Sequence, residues 1–142
     1  MTRNAVDRYF TSVNSHDWAG LRGALAEDII RIGPNGMADI VHGRDNYVAF
    51  NRKIIGAGGA YQGHGIVPHE SLYSPDGRRA FVTATEWCQL SGHEKEIYHL
   101  LFVFDINDQD LLEKISIFWK TPERPVQEFS TAEGSEKLPD PG

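Results

Sequence analysis

The apolar residues of this chain repeat with one period before residue 28 and another after residue 60, and that switch most limits its fold. Val6, Tyr9, Phe10 and Val13 fall at i, i+3, i+4 and i+7, one stripe at the helical period. Asn4 is placed to cap this helix, and Asp7 puts negative charge in its first turn. The polar run Asn14-Ser15-His16-Asp17 ends it, and Asp17 caps a second helix in which Trp18, Leu21 and Leu25 repeat. Ile29-Ile30-Arg31-Ile32 is short and β-branched, hence a strand, followed by the turn Gly33-Pro34-Asn35-Gly36. A third helix follows Gly43, with Tyr47, Phe50 and Ile54 on one face, and stops at Gly56-Ala57-Gly58-Gly59.

From Tyr61 the pattern is one of strands and turns. Extended segments are expected over Tyr61 to Tyr73, broken or bulged at Pro68, then Arg79 to Leu90, Glu94 to Ile106 and Leu112 to Trp119. Ser74-Pro75-Asp76-Gly77, Ser91-Gly92 and Asn107-Asp108-Gln109-Asp110 supply the turns. Helices followed by an antiparallel meander mean an α+β fold. With 142 residues, 40% hydrophobic and 24% charged, the composition fits one globular domain. Residues 1–121 are read as that domain. Residues 122–142, rich in proline and acid, are read as a flexible C-terminal tail.

Several function classes drop out. A net charge of −6 disfavours a nucleic-acid partner. The single cysteine, Cys88, excludes an intramolecular disulfide and any multi-cysteine metal site. The first residues carry no secretory signal, and the longest apolar run, Ile97 to Phe104, is too short for a bilayer. A soluble cytoplasmic domain with no membrane partner is expected.

The order of these elements resembles the nuclear-transport-factor-2-like superfamily, which includes ketosteroid isomerase, scytalone dehydratase, limonene epoxide hydrolase and polyketide cyclases. Arg8-Tyr9-Phe10, Asn14-Ser15-His16-Asp17-Trp18, Ala26-Glu27-Asp28 and Gly43-Arg44-Asp45 carry the likeness, with Leu101-Phe102-Val103-Phe104 and Lys114-Ile115-Ser116-Ile117 in the last strands. The resemblance implies a cone-shaped α+β barrel, three N-terminal helices packed in a strongly curved, mainly antiparallel sheet around an apolar pocket. It implies that Tyr9 matches a tyrosine that donates to an enolate oxygen in ketosteroid isomerase. The position of that isomerase's base is Gly33 here, and its second oxyanion donor falls at or near Leu100. Isomerase chemistry of that type is therefore disfavoured. The arginine and two aspartates of the epoxide hydrolases are not reproduced at Thr85-Glu86-Trp87 or Phe118-Trp119-Lys120 either.

Four residues remain as catalytic candidates. Glu86 lies mid-strand on the face of Val82, Ala84 and Cys88. If that face lines the pocket, apolar surroundings should raise its pKa and fit it for proton transfer; otherwise it packs on a second subunit or meets an arginine. Tyr9 and Tyr98 are candidate hydrogen-bond donors, with Tyr98 sharing a face with Leu100, Phe102 and Phe104. His64 is an acid–base candidate because histidine titrates near neutrality, whereas His69 falls on the opposite face and His99 on the outer one. No metal or cofactor is expected. Lys120 and Arg31 could bind an anionic group at the pocket mouth but read first as solvated charges, and Tyr47 and Phe50 read as core.

Two readings follow. One is a cofactor-free acid–base enzyme, an isomerase, dehydratase, hydrolase or lyase, acting on a small apolar oxygenated molecule. The other is a non-catalytic small-ligand-binding or assembly module of the same fold. A homodimer through the outer sheet face is expected, since Phe81 and Trp87 oppose Val82 and Ala84, leaving both faces apolar.

Overall fold

The structure, a computed structural model, describes residues 4–123. Helices α1 (Ala5–Ser15) and α2 (Trp18–Ala24) open the fold. Their caps are those expected: Asn4 accepts from the Asp7 N–H and Asp17 from the Gly20 N–H, each at 2.9 Å. Strands β1 (Leu25–Ile32) and β2 (Ile40–His42), helix α3 (Arg44–Ile55), and strands β3 (Tyr61–Tyr73), β4 (Arg79–Leu90), β5 (Glu96–Ile106) and β6 (Leu112–Pro122) follow. The strands form one open mixed sheet in the order β2-β1-β6-β5-β4-β3. β1 runs parallel to β6, and every other neighbouring pair is antiparallel. The expected α+β architecture is present, with three helices against this sheet.

Two details differ from expectation. Leu25 does not extend α2; it starts β1 and pairs with Leu112. Its burial is total, so a core-facing apolar residue satisfied either period. β2 escaped notice because three residues are too short to display alternation. Of the expected tail, residues 122–142, those from 124 onward lie outside the described residues, while Pro122 closes β6 and the Glu123 N–H bonds Ile97 O at 2.8 Å.

The core joins the helical stripe to the inner sheet face. Phe10 meets Phe102 edge-on with ring centroids 5.5 Å apart, and Tyr9 meets Phe104 at 5.4 Å. Arg8 ties α1 to the β5–β6 turn through Asp110, at 3.0 Å to Oδ2 and 2.7 Å to its carbonyl. No described helix is long and apolar enough to cross a membrane.

Candidate active site

Between the helices and the inner sheet face lies a cavity of about 610 Å³, lined by Tyr9, Arg31, Tyr47, His64, Glu86, Tyr98 and Lys120 among others. Glu86 enters it because β4 pairs with β5 without interruption, from Arg79↔Asp105 to Cys88↔Glu96. Unbroken alternation keeps Glu86 on the face of Val82, Ala84 and Cys88, all buried. Of the two placements open from sequence, the structure shows the inward one.

His64 reaches Glu86 as a diagonal cross-strand neighbour, since His64 pairs with Cys88 and Ile66 with Glu86. Its Nε2 stands 2.8 Å from Glu86 Oε2, and its Nδ1 is buried without a hydrogen-bond partner. An ionised carboxylate can only accept, so Nε2 carries the hydrogen of this bond, and in the neutral imidazole Nδ1 is then the acceptor. Two features hold His64 in place. Asn14 clamps the backbone of Ile66, donating to its carbonyl at 2.7 Å and accepting from its N–H at 2.8 Å. On the other face, a side chain at Gly63 or Gly65 would collide with the indole of Trp87, which lies against the strand there.

Lys120 is the partner that sequence reasoning missed. Its Nζ stands 2.7 Å from Glu86 Oε1, crossing β5 over the Tyr98 ring at 4.7 Å. A register shift in β6 turns it inward. Ile117 pairs with Phe102 and Trp119 with Leu101, so Phe118 is an extra residue opposite no partner. Ile115 and Ile117 point in before this bulge, and Lys120, of opposite parity, points in after it.

The charge balance corrects the expected pKa of Glu86. Burial pushes its carboxyl up, but the hydrogen bond with His64 and the Lys120 ammonium push it down. The partners prevail, and the carboxyl lies below the ordinary glutamate value.

Tyr9 and Tyr47 share a hydroxyl–hydroxyl bond of 2.8 Å in the buried part of the cavity. Burial raises both phenols, that of Tyr9 well above its usual value, with Tyr47 adding to the effect. Tyr47, expected only as core, therefore belongs to the polar lining. Tyr98 does not join this pair. Its hydroxyl donates to Glu96 Oε2 at 2.5 Å near the exposed start of β5. That bond, aided by burial, pushes its pKa up to about 12. His69 bonds Thr85 Oγ1 at 2.6 Å and His99 faces Glu123 at 3.4 Å, both away from the site. Arg31 is no solvated charge: its Nη1 holds Asp39 Oδ1 at 2.8 Å. Among the described residues, no group of three His, Cys, Asp or Glu side chains is placed to hold a metal ion.

Residues 6–113 match the model of the SnoaL-like domain. The chain belongs to this family. It lies within the nuclear-transport-factor-2-like superfamily that the helix motifs and last two strands resemble. Several solved structures share the fold. RV0760c from Mycobacterium tuberculosis in complex with estradiol-17beta-hemisuccinate superposes with a TM-score of 0.70 at 18% identity, covering 81% of this chain and 90% of that one. Delta 5-3-ketosteroid isomerase from Mycobacterium sp. gives 0.69 at 18% identity, covering 84% and 95%. An epoxide hydrolase of M. tuberculosis, like limonene epoxide hydrolase, gives 0.66 at 15% identity, covering 80% and 74%. At such identities the likeness is one of fold. A comparison with curated proteins returns no match.

Proposed function

We propose that this SnoaL-like chain is a cofactor-free acid–base enzyme, of isomerase, dehydratase, hydrolase or lyase type, acting on a small, largely apolar, oxygenated molecule. The observation that carries this reading is the buried His64–Glu86 pair, with His64 Nδ1 unpartnered, in the cavity that also holds the Tyr9–Tyr47 hydroxyls. In this mechanism His64 Nδ1 takes a proton from the substrate while Nε2–H stays on Glu86. The carboxylate fixes the imidazole's tautomer and stabilises the imidazolium that forms. Lys120 keeps Glu86 ionised throughout. A hydroxyl of the tyrosine pair donates to the oxygen on which charge develops. Glu86, expected to move the proton itself, becomes the residue that orients His64, and Tyr98 lends its ring to Lys120.

Proton transfer is testable without the natural substrate. Cyclic and polycyclic ketones that fit the cavity are incubated in deuterated buffer, and exchange beside the carbonyl is followed by NMR. The expected outcome is exchange above the buffer rate for at least one ketone, lowered about 10²–10⁴-fold in His64→Gln. Equal rates for the two proteins would overturn the assignment of His64.

The ion pair between Lys120 and Glu86 favours the second reading, a binding or assembly module in which the network is a fixed polar anchor. The steroid derivative bound by RV0760c supports an apolar ligand under either reading. The free, buried Cys88 suits a reducing compartment such as the cytoplasm. Exposed Val67, Leu72, Phe81 and Trp119 support a homodimer burying about 1,200 Å² or more. Light scattering at tens of micromolar should give twice the chain mass; the mass of one chain would overturn it.

A further inference from the structure

The cavity contains a second charged pair with no part in the proton-transfer network. Arg31, on β1, is buried, with a side chain only 10% exposed. Its Nη1 bonds Asp39 Oδ1 at 2.8 Å, and its guanidinium carbon stands 4.9 Å over the Phe50 ring. Its Nε is buried without a hydrogen-bond partner. Asp39 Oδ2 meets Asn35 Nδ2 at the long distance of 3.5 Å. Both residues line the cavity. Gly33 makes room for them: a Cβ there would collide with the Asp39 carboxylate and press on Arg31 Nη1. A residue without a side chain stands where the strand would otherwise fill this corner.

This pair lies far from Glu86 along the sheet. Strands β6 and β5 separate β1 from β4, which is three strand spacings, or about 14 Å across the strands. The Tyr9–Tyr47 hydroxyl pair lines the same cavity. The lining also includes apolar Leu100, Phe102 and Ile117. The Arg31–Asp39 pair and the His64–Glu86 pair thus line one cavity from strands well apart in the sheet, with apolar as well as polar lining between them.

We infer that Arg31 and Asp39 form a second recognition site, which takes a hydroxyl group at the far end of the ligand from His64. The chemistry selects a hydroxyl. Asp39 neutralises most of the guanidinium charge, so a carboxylate gains little there and is repelled by Asp39 itself. A hydroxyl can donate to the Asp39 carboxylate and accept from an N–H of the Arg31 guanidinium, serving both members of the pair at once. The ligand class is then an apolar, ring-sized skeleton with an oxygen at each end. This inference rests on the reading that the cavity takes a small oxygenated molecule, and it holds whether or not that molecule is turned over.

The test uses three planar probes with a common skeleton: 2-naphthol, 2,6-dihydroxynaphthalene and 6-hydroxy-2-naphthoate, titrated by calorimetry. The wild type should bind the diol about tenfold more tightly than 2-naphthol and than the naphthoate, because only the diol carries a hydroxyl at both ends. The naphthol leaves one polar group of the cavity unpartnered, and the naphthoate sets a carboxylate against Asp39 or Glu86. Asp39→Asn, Arg31→Met and Gly33→Ala should each shrink the diol's advantage to twofold or less. Gly33→Ala does so without altering charge, which guards against a loss caused by unbalancing the pair. Equal binding of diol and 2-naphthol by the wild type, or tighter binding of the naphthoate, would overturn the hydroxyl site alone. Failure of all three probes to bind would overturn the ligand cavity and this site together. A diol advantage that survives Asp39→Asn and Arg31→Met would overturn the assignment to this pair.

Discussion

The Glu86 carboxylate and the Tyr9–Tyr47 hydroxyls stand in one cavity, lose the same solvent, and compensate for the loss by different means. Glu86 draws on two other strands, taking a hydrogen bond from His64 on β3 and an ion pair from Lys120 on β6. The tyrosines draw on each other, a helix α1 hydroxyl against a helix α3 hydroxyl. Their pKa values therefore move in opposite senses: Glu86 below its usual value, the phenols above theirs. One group is held charged and the other neutral across the physiological range. A buried polar group is retained in either state provided its partner matches that state.

The largest effect should come from breaking the charged side. Glu86→Gln keeps the shape but leaves Lys120 without its counter-charge, at a cost of about 3 kcal/mol near pH 7. The sign with pH follows from the lowered carboxyl. Its stabilisation is fully present above the unfolded value of about 4.3 and is lost as pH falls through the folded one. The melting temperatures of mutant and wild type should therefore lie far apart at pH 8 and converge only as pH falls below the unfolded value through the lowered folded one. A carboxyl raised by apolar burial, the expectation from sequence, would instead leave the mutant as stable or stabler at pH 8.

A smaller effect is expected on the neutral side. Tyr47→Phe or Tyr9→Phe each leaves one buried hydroxyl unpaired, costing about 1–2 kcal/mol in denaturant unfolding. That cost should stay constant between pH 5 and 8, since both phenols titrate well above this range. The double mutant should lose less than the sum, because its second change removes the stranded group. Additive losses would show that the two hydroxyls do not depend on each other.

The smallest effect sharpens the boundary of the site. Tyr98→Phe removes only the bond to exposed Glu96 and keeps the ring beneath Lys120, so stability should change by less than about 0.5 kcal/mol. Proton exchange on any ketone substrate should persist. A large loss of exchange would return Tyr98 to the catalytic set.

How much of this was legible in the sequence depended on distance along the chain. Asn4 and Asp17 announced their helices because a cap is decided by residues two or three positions away. Glu86 shared a face with Val82 and Cys88 by strand alternation alone, and an uninterrupted pairing with β5 preserved that parity. The element order and α+β class followed from the same local periods, as did the helix motifs and strand ends that resembled the superfamily.

Other features were decided only by the assembled sheet. Lys120 looked like a solvated terminal charge until the extra residue Phe118 reversed its parity, and no local pattern marks which residue a bulge leaves unpaired. Asn14 looked like a helix break, yet both ends of its amide serve a strand 52 positions away. Tyr47 carried the apolar spacing of a core residue, and nothing near it reveals that its hydroxyl meets that of Tyr9. The sign of the Glu86 shift belongs to the same group. Desolvation could be foreseen from its apolar neighbours, but the opposing charges come from two other strands, and their sum exists only once the sheet has formed.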